Sequence, residues 1–179
     1  MRWMLAIFLL ARIGLAAESS VTIFGQELAL GADATPKLIS ERVMPLFVRE
    51  YARRMKLEAT EAEVELLLAK APELRKPEGS SGVADTFFRS LITHFKLNRE
   101  LYRKHGGRVA LSAFGFHLAK DAVVAELRSL EHTGELRIPD GRRTEFYEYL
   151  SKTPGDGVVT GAAAAAAFRD APWEARARR

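Results

Sequence analysis

Between Asp85 and Ala113, Phe88, Leu91, Ile92, Phe95 and Leu101 recur at three- and four-residue steps, with Phe87, Asn98 and Tyr102 flanking them. Arg89, Lys96, Arg99, Glu100, Arg103 and Lys104 take the other side. That spacing predicts a long helix with one strongly apolar face, which must find a partner. Cations crowd its last turn, where they oppose the negative end of the helix dipole. Gly106 or Gly107 then supplies the left-handed backbone that ends a helix. Upstream, Leu38, Ile39, Val43, Leu46, Phe47 and Tyr51 trace a second stripe. Thr35 is placed to cap that helix, Pro36 suits its first position, and Pro45 predicts a kink or a break near Met44. Thr60-Glu61-Ala62-Glu63 fits a capping box, so Val64, Leu67 and Leu68 face inward from a short helix ending near Lys70.

The remaining segments are shorter. Val21 to Leu28 is expected to be extended and to turn at Gly25, and Arg108 to Ser112 and Leu136 to Pro139 are also expected to be extended. Phe116, Ala119, Val123, Leu127 and Leu130 share one helix face that closes at Gly134. Asp140 is a candidate cap for a helix carrying Phe146, Tyr149 and Leu150. Ser151 to Gly161 is expected to be a loop, and Ala162 to Ala167 a helix that Pro172 stops, with Trp173 pinning the tail. Ala71 to Ala84, APELRKPEGSSGVA, has the composition of a linker. The expected architecture is mainly α, an orthogonal helical bundle of about five or six helices with a few short extended segments. Residues 18–70 form a front helical portion, 71–84 the linker, and 85–179 the central helix and C-terminal helical portion.

Composition supports a globular chain: 47% of the 179 residues are hydrophobic and 28% charged. Met1 to Trp3 is a short basic lead, Met4 to Leu10 is unbroken apolar, and Gly14 to Ala17 offers small residues for a signal peptidase. Residues 1–17 are therefore expected to be a signal peptide, directing the protein to the periplasm or beyond. The apolar stretch falls short of the roughly 20 residues that cross a bilayer. Anchoring in the inner membrane by an uncleaved N-terminus is the alternative, and a buried first helix of a cytosolic protein the blandest one. Cysteine is absent, which excludes disulfides, thiolate catalysis and a cysteine-linked lipid anchor. The formal charge is +4; without Arg2 and Arg12, 25 cations stand against 23 anions, a weak bias. Arg49, Arg53, Arg54 and Lys56 gather locally, as do Arg176, Arg178 and Arg179. For an exported chain these suit peripheral contact with anionic lipid or an acidic protein surface better than nucleic acid, and solvated faces account for them better still.

No catalytic motif stands out, and no metal site or cofactor is indicated. His94, His105, His117 and His132 lack ligand spacing. His117 and Asp121, one helical turn apart if helical, could jointly reach a metal or form an acid and base pair, against the commoner reading of a histidine at a helix start stabilised by a nearby carboxylate. Glu145 and Glu148 are three apart but have no histidine companion, and Ser80-Ser81-Gly82 has no nucleophile frame. The most suggestive stretch is Lys104-His105-Gly106-Gly107-Arg108. Two glycines beside cations expose backbone N–H groups to an anion; the competing account is a glycine helix stop followed by a solvated arginine.

Ile23-Phe24-Gly25-Gln26-Glu27-Leu28, followed by VREYARRMKLEATEAEVELLL from Val48 to Leu68, resembles the N-terminal helical module of SurA-type and related parvulin-class periplasmic chaperones. The resemblance covers the front third and implies a domain that holds unfolded clients in apolar grooves. No parvulin isomerase domain is recognised in the remainder. ELYRKHGGRVALSAFG is similar to a class of exported bacterial proteins, which adds a compartment and no mechanism. The leading expectation is an exported helical protein, chaperone-like or assembly-assisting, that binds unfolded or partly folded polypeptide or an envelope protein. Phe47, Tyr51, Phe87, Phe88 and Phe95 are the candidates to line a groove between the front helices and the central helix. The alternatives are a cell-envelope enzyme using His105 and Arg108 around Gly106-Gly107, and a membrane-anchored accessory subunit.

Overall fold

The computed structural model describes residues 20–70, 81–111, 117–152, 157–171 and 173. The expected signal at 1–17, most of the expected linker, the Phe114-Gly115-Phe116 stretch, Pro172 and the three C-terminal arginines lie outside the described residues. The protein is mainly helical, with short antiparallel strands. In chain order the elements are β1 (Ser20–Ile23), β2 (Gln26–Ala29), α1 (Pro36–Arg54), α2 (Glu61–Lys70), α3 (Ser81–His105), β3 (Val109–Leu111) and β4 (His117–Leu118). They continue with α4 (Lys120–His132), β5 (Leu136–Arg137), α5 (Asp140–Ser151), β6 (Val158–Val159) and α6 (Gly161–Ala167). Among the described residues no helix is long and apolar enough to cross a membrane.

The chain forms two compact units, each assembled from two separate segments: Met1–Phe47 with Val124–Lys152, and Val48–Val123 with Thr153–Arg179. Contact thus divides the chain differently from the linear order of front portion, linker and C-terminal portion, because α2 and α3, which flank residues 71–80, pack together in the second unit.

In the first unit, β1 and β2 form a hairpin whose turn, Phe24-Gly25, takes positive φ at both positions (50° and 79°). This is the turn geometry whose twist matches paired strands. β5 adds to the other edge of β1, pairing Ile23 with Leu136, and the Phe24 N–H donates to the Glu135 carbonyl at 2.7 Å. Val21, Ile23, Ile39, Val43, Phe47, Leu127, Leu136 and Phe146 are fully buried, each worth about 1.5–3 kcal/mol of apolar burial. The Thr35 hydroxyl caps α1 by accepting from the Leu38 N–H at 3.3 Å. Pro45 does not break α1, which runs unbroken for 19 residues. Pro45 and Glu41 both lie on its exposed side, where water can satisfy the carbonyl that loses its donor. Asp140 is not the cap of α5. The extended Pro139 (φ −54°, ψ 137°) holds that position, and Asp140, the first helical residue, pairs with Arg143 at 2.8 Å.

In the second unit, the Thr60 N–H donates to Glu63 Oε2 at 2.8 Å and the Glu63 N–H to Thr60 Oγ1 at 3.3 Å, so the capping box closes in both directions. Glu63 also binds Lys96 at 3.1 Å, and the Lys96 ammonium reaches the Glu58 carbonyl at 2.9 Å. Arg89 joins Asp85 on its own helix to Glu61 on α2. α3 starts at Ser81, four residues ahead of Asp85, since the first-turn N–H groups have no helical partner in any case and tolerate Ser and Gly there. His117 and Leu118 do not open the next helix. They form β4 against β3, pairing Leu111 with His117 and Ala110 with Leu118. On the other edge of β3, Val158-Val159 forms β6 within what composition marks as a loop. Two adjacent β-branched residues beside an open strand edge favour pairing over the local turn signals.

Candidate functional site

The apolar face of α3 meets α2 and the C-terminal segment within the second unit. Val64, Phe88, Ile92, Ala171 and Trp173 form one buried cluster, with Ala59, Leu67, Leu68, Leu91 and Phe95 packed around it. An aromatic chain runs along this face. Trp173 meets Phe95 edge-on at 5.3 Å between centroids, Phe95 meets Phe168 at 5.9 Å, and Phe168 lies 5.4 Å from Tyr102 and 6.1 Å from the His117 ring. Arg99 sits over the open side of Phe95 at 5.6 Å. The ring separations lie in the favourable range for aromatic pairs, edge-to-face except for the tilted Tyr102–Phe168 pair. Phe87 turns outward, 56% exposed, and touches Phe88 edge-on; Leu66 on α2 is 51% exposed.

The five candidate groove residues therefore divide. Phe47 belongs to the first unit and is buried; Tyr51, Phe87, Phe88 and Phe95 belong to the second. Of these, Tyr51 and Phe88 are buried, Phe95 is half-buried and Phe87 is open. α2 and α3 close on each other through Val64, Phe88 and Ile92, and the chain's own Trp173 seals the cluster. Phe168 is the member that periodicity misses. It follows six alanines, and its only signal is that it is the one large apolar side chain at the end of that run.

At the far end of α3, His105 is half-buried, and Gly106 and Gly107 both take positive φ (66° and 96°). The Gly106 N–H bonds the Tyr102 carbonyl at 2.7 Å, ending the helix. Arg108 does not face solvent unopposed. Its guanidinium grips both oxygens of Asp121 at 2.9 Å, and its backbone N–H donates to the same carboxylate at 2.9 Å. The anion suggested by two glycines beside cations is thus supplied by the chain itself. This guanidinium holds the Asp121 carboxyl below its ordinary pKa, and a Cβ on Gly107 would come within 2.7 Å of Asp121 Cβ. The proposed pairing of His117 with Asp121 gives way to Arg108, because His117 is in β4 and its ring meets Phe168 edge-on. His117 Nδ1 is buried without a hydrogen-bond partner, and desolvation pushes the imidazole pKa down. His94 opens to solvent within dense surroundings that also lower its pKa by desolvation. Buried Asn98 ties the two ends of this region, accepting from the Ala119 N–H at 2.8 Å and donating to the His94 carbonyl at 2.8 Å.

A polar pocket of about 480 Å³ opens in the first unit, lined by Arg128, Glu131, Arg143, Thr144, Tyr147, Glu148 and Ser151. Glu131 accepts from Arg143 at 2.5 Å and from the Tyr147 hydroxyl at 3.1 Å. Burial, reinforced by the Glu131 charge, drives the Tyr147 pKa well upward, and Arg128 lies 4.9 Å over its ring. Tyr147 is therefore a neutral hydrogen-bond donor committed to Glu131. Among the described residues no three His, Asp or Glu side chains gather as a metal site. No protein-family model, curated protein or solved structure matches the chain.

Proposed function

We propose that the protein binds extended or partly folded polypeptide through apolar side chains of its second unit, as an exported chaperone-like or assembly-assisting module. The observation that carries this reading is Phe87: a phenylalanine more than half exposed on α3, directly beside the sealed Phe88. Burying an aromatic ring of a client against it is favourable in proportion to the apolar area removed from water. Leu66 adds a second open apolar side chain in the same unit. The resemblance of Val48 to Leu68 to a SurA-type module supports the same reading, as does the apolar N-terminal stretch for the periplasmic or secreted location. Arg108 and Lys96 of that unit are each engaged by one of its own carboxylates, so the open surface offered at Phe87 and Leu66 is apolar.

The test is suppression of aggregation of an unfolded client by the purified full chain, compared with Phe87→Ser and Leu66→Ser. The expected result is protection at near-stoichiometric ratios that the Phe87→Ser change weakens several-fold without altering thermal stability. Absence of protection at several-fold molar excess overturns the reading.

A further inference from the structure

The aromatic face of α3 is covered by a segment of the same chain that is bound in an unusual way. From Ala162 to Trp173 the described residues make no hydrogen bond or ion pair to α2 or α3; the nearest polar tie is the Tyr102 hydroxyl to the Gly161 carbonyl at a long 3.5 Å. The segment holds on through Phe168, Ala171 and Trp173, which are all but fully buried. Between these anchors Arg169 and Asp170 are exposed, and α6 itself is seven residues long with most of its alanines open to solvent. By contrast, α2 is fastened to the same helix by Lys96 to Glu63 and Glu58, by Arg89 to Glu61, and by the Ala59 N–H to Thr93 Oγ1 at 3.1 Å. A helix this short has almost no stability of its own, so its docking depends on two aromatic anchors five positions apart.

We propose that the C-terminal segment from Gly161 to Trp173 is a displaceable strap that occupies the polypeptide-binding face of α3 in cis, and that the client is an aromatic-bearing segment of another chain, which takes the places of Phe168 and Trp173 against Phe88, Phe95 and Tyr102. The proposal rests on the polypeptide-binding reading above and extends it from the open Phe87 to the covered face beside it. The chemistry of the face defines the ligand. Phe95 receives aromatic side chains edge-on and Tyr102 receives one at a tilt, and the scarcity of polar ties means that no particular backbone register is demanded. A strap closed most of the time lowers apparent affinity by the fraction open, so weakening it raises affinity without adding any contact.

The experiment uses the full chain carrying Trp3→Phe, which leaves Trp173 as its single tryptophan. The probe is a tryptophan-free peptide of about 15 residues in which phenylalanine alternates with polar residues, long enough to span both anchors. Addition of peptide is expected to shift Trp173 emission to the red with saturation. In parallel, the same peptide carrying a fluorescent label is expected to bind the Trp173→Ala chain roughly five-fold or more tightly than the parent. Binding with unchanged Trp173 emission and equal affinity for Trp173→Ala overturns the strap while leaving polypeptide binding intact. No binding to either chain overturns both. Should Trp173→Ala lose its circular-dichroism signature, Phe168→Leu takes its place, and the emission shift of the parent decides by itself.

Discussion

Two features complete α3, and they do so by opposite means. At its C-terminal end the Gly106-Gly107-Arg108 corner is fixed by directional bonds: a helix-ending N–H, two positive-φ glycines, and three N–H donors on one carboxylate. Along its apolar face the C-terminal segment is held chiefly by apolar burial, through ring contacts of Phe168 and Trp173 and the packing of Ala171. Directional bonds specify one geometry and are costly to leave unmade, whereas apolar burial tolerates exchange of one ring for another. The corner therefore behaves as architecture, and under the proposal above the strap is the part for which a partner competes.

The sharpest way to break this contrast is to truncate each side of the aromatic cluster. Ile92, fully buried on α3, is part of the permanent core, so Ile92→Ala is expected to cost about 3–4 kcal/mol in denaturant unfolding. If the strap opens independently, Trp173→Ala loses only the docking energy and is expected to shift global stability by at most about 2 kcal/mol. Equal losses for the two would make Trp173 ordinary core and erase the distinction.

The corner gives the next largest effect. Gly107→Ala forces a Cβ to within 2.7 Å of Asp121 Cβ at a φ of 96°, and about 3 kcal/mol of destabilisation is expected from strain and overpacking together. Gly106→Ala meets nothing within 4 Å and is expected to cost about 1–2 kcal/mol, the left-handed backbone alone. Thermal melts of the two variants side by side measure the difference; comparable losses would mean that the Asp121 approach is not rigid.

These contrasts show what could and could not be read along the chain. The helices came through because their signals are local: Thr35-Pro36 for α1, Thr60 to Glu63 for α2, and the stripe of Phe88, Ile92 and Leu101 for α3. What stayed hidden depends on residues far apart in sequence. Nothing near Arg108 marks Asp121 as its partner, the edge of β3 draws Val158-Val159 into a sheet from an apparent loop, and His117 is taken from a helical pattern into β4. Phe168 gained its place on α3 only once the chain had folded back.

Acid separates the corner from the strap more gently. The folded pKa of Asp121 lies below its unfolded value, chiefly through the hydrogen bonds from Arg108. Its contribution is therefore fully present above the ordinary aspartate range and is lost as pH falls through the lowered folded pKa. Asp121→Asn keeps an acceptor for the Arg108 N–H but removes the charge. The half-exposed setting limits the expected loss to about 1 kcal/mol at neutral pH. Between that variant and the parent, stability curves should converge as pH falls below about 4. A constant gap down to the acid end would show that the charge contributes nothing.

The smallest effect tests whether helix ends in this protein need glycine at all. α4 stops with Gly134 at φ 78°, the Glu135 N–H bonding the Leu130 carbonyl at 2.8 Å and the Gly134 N–H bonding that of Glu131 at 3.1 Å. α1 stops with the same pair of bonds, Leu57 N–H to Ala52 at 2.8 Å and Lys56 N–H to Arg53 at 3.3 Å, but the left-handed position is occupied by Lys56 at φ 55°. A side chain there is strained, and Lys56 is exposed, so little packing is lost on removing it. Glycine relieves that strain while adding backbone entropy to the unfolded chain, and the two terms partly offset. Lys56→Gly is expected to stabilise the protein by about 0.5–1 kcal/mol, read as a rise of a few degrees in melting temperature. A fall instead would mean that the Lys56 side chain makes a contact worth more than the strain it carries, and the α1 stop would then belong with the Arg108 corner, held by specific side-chain bonds.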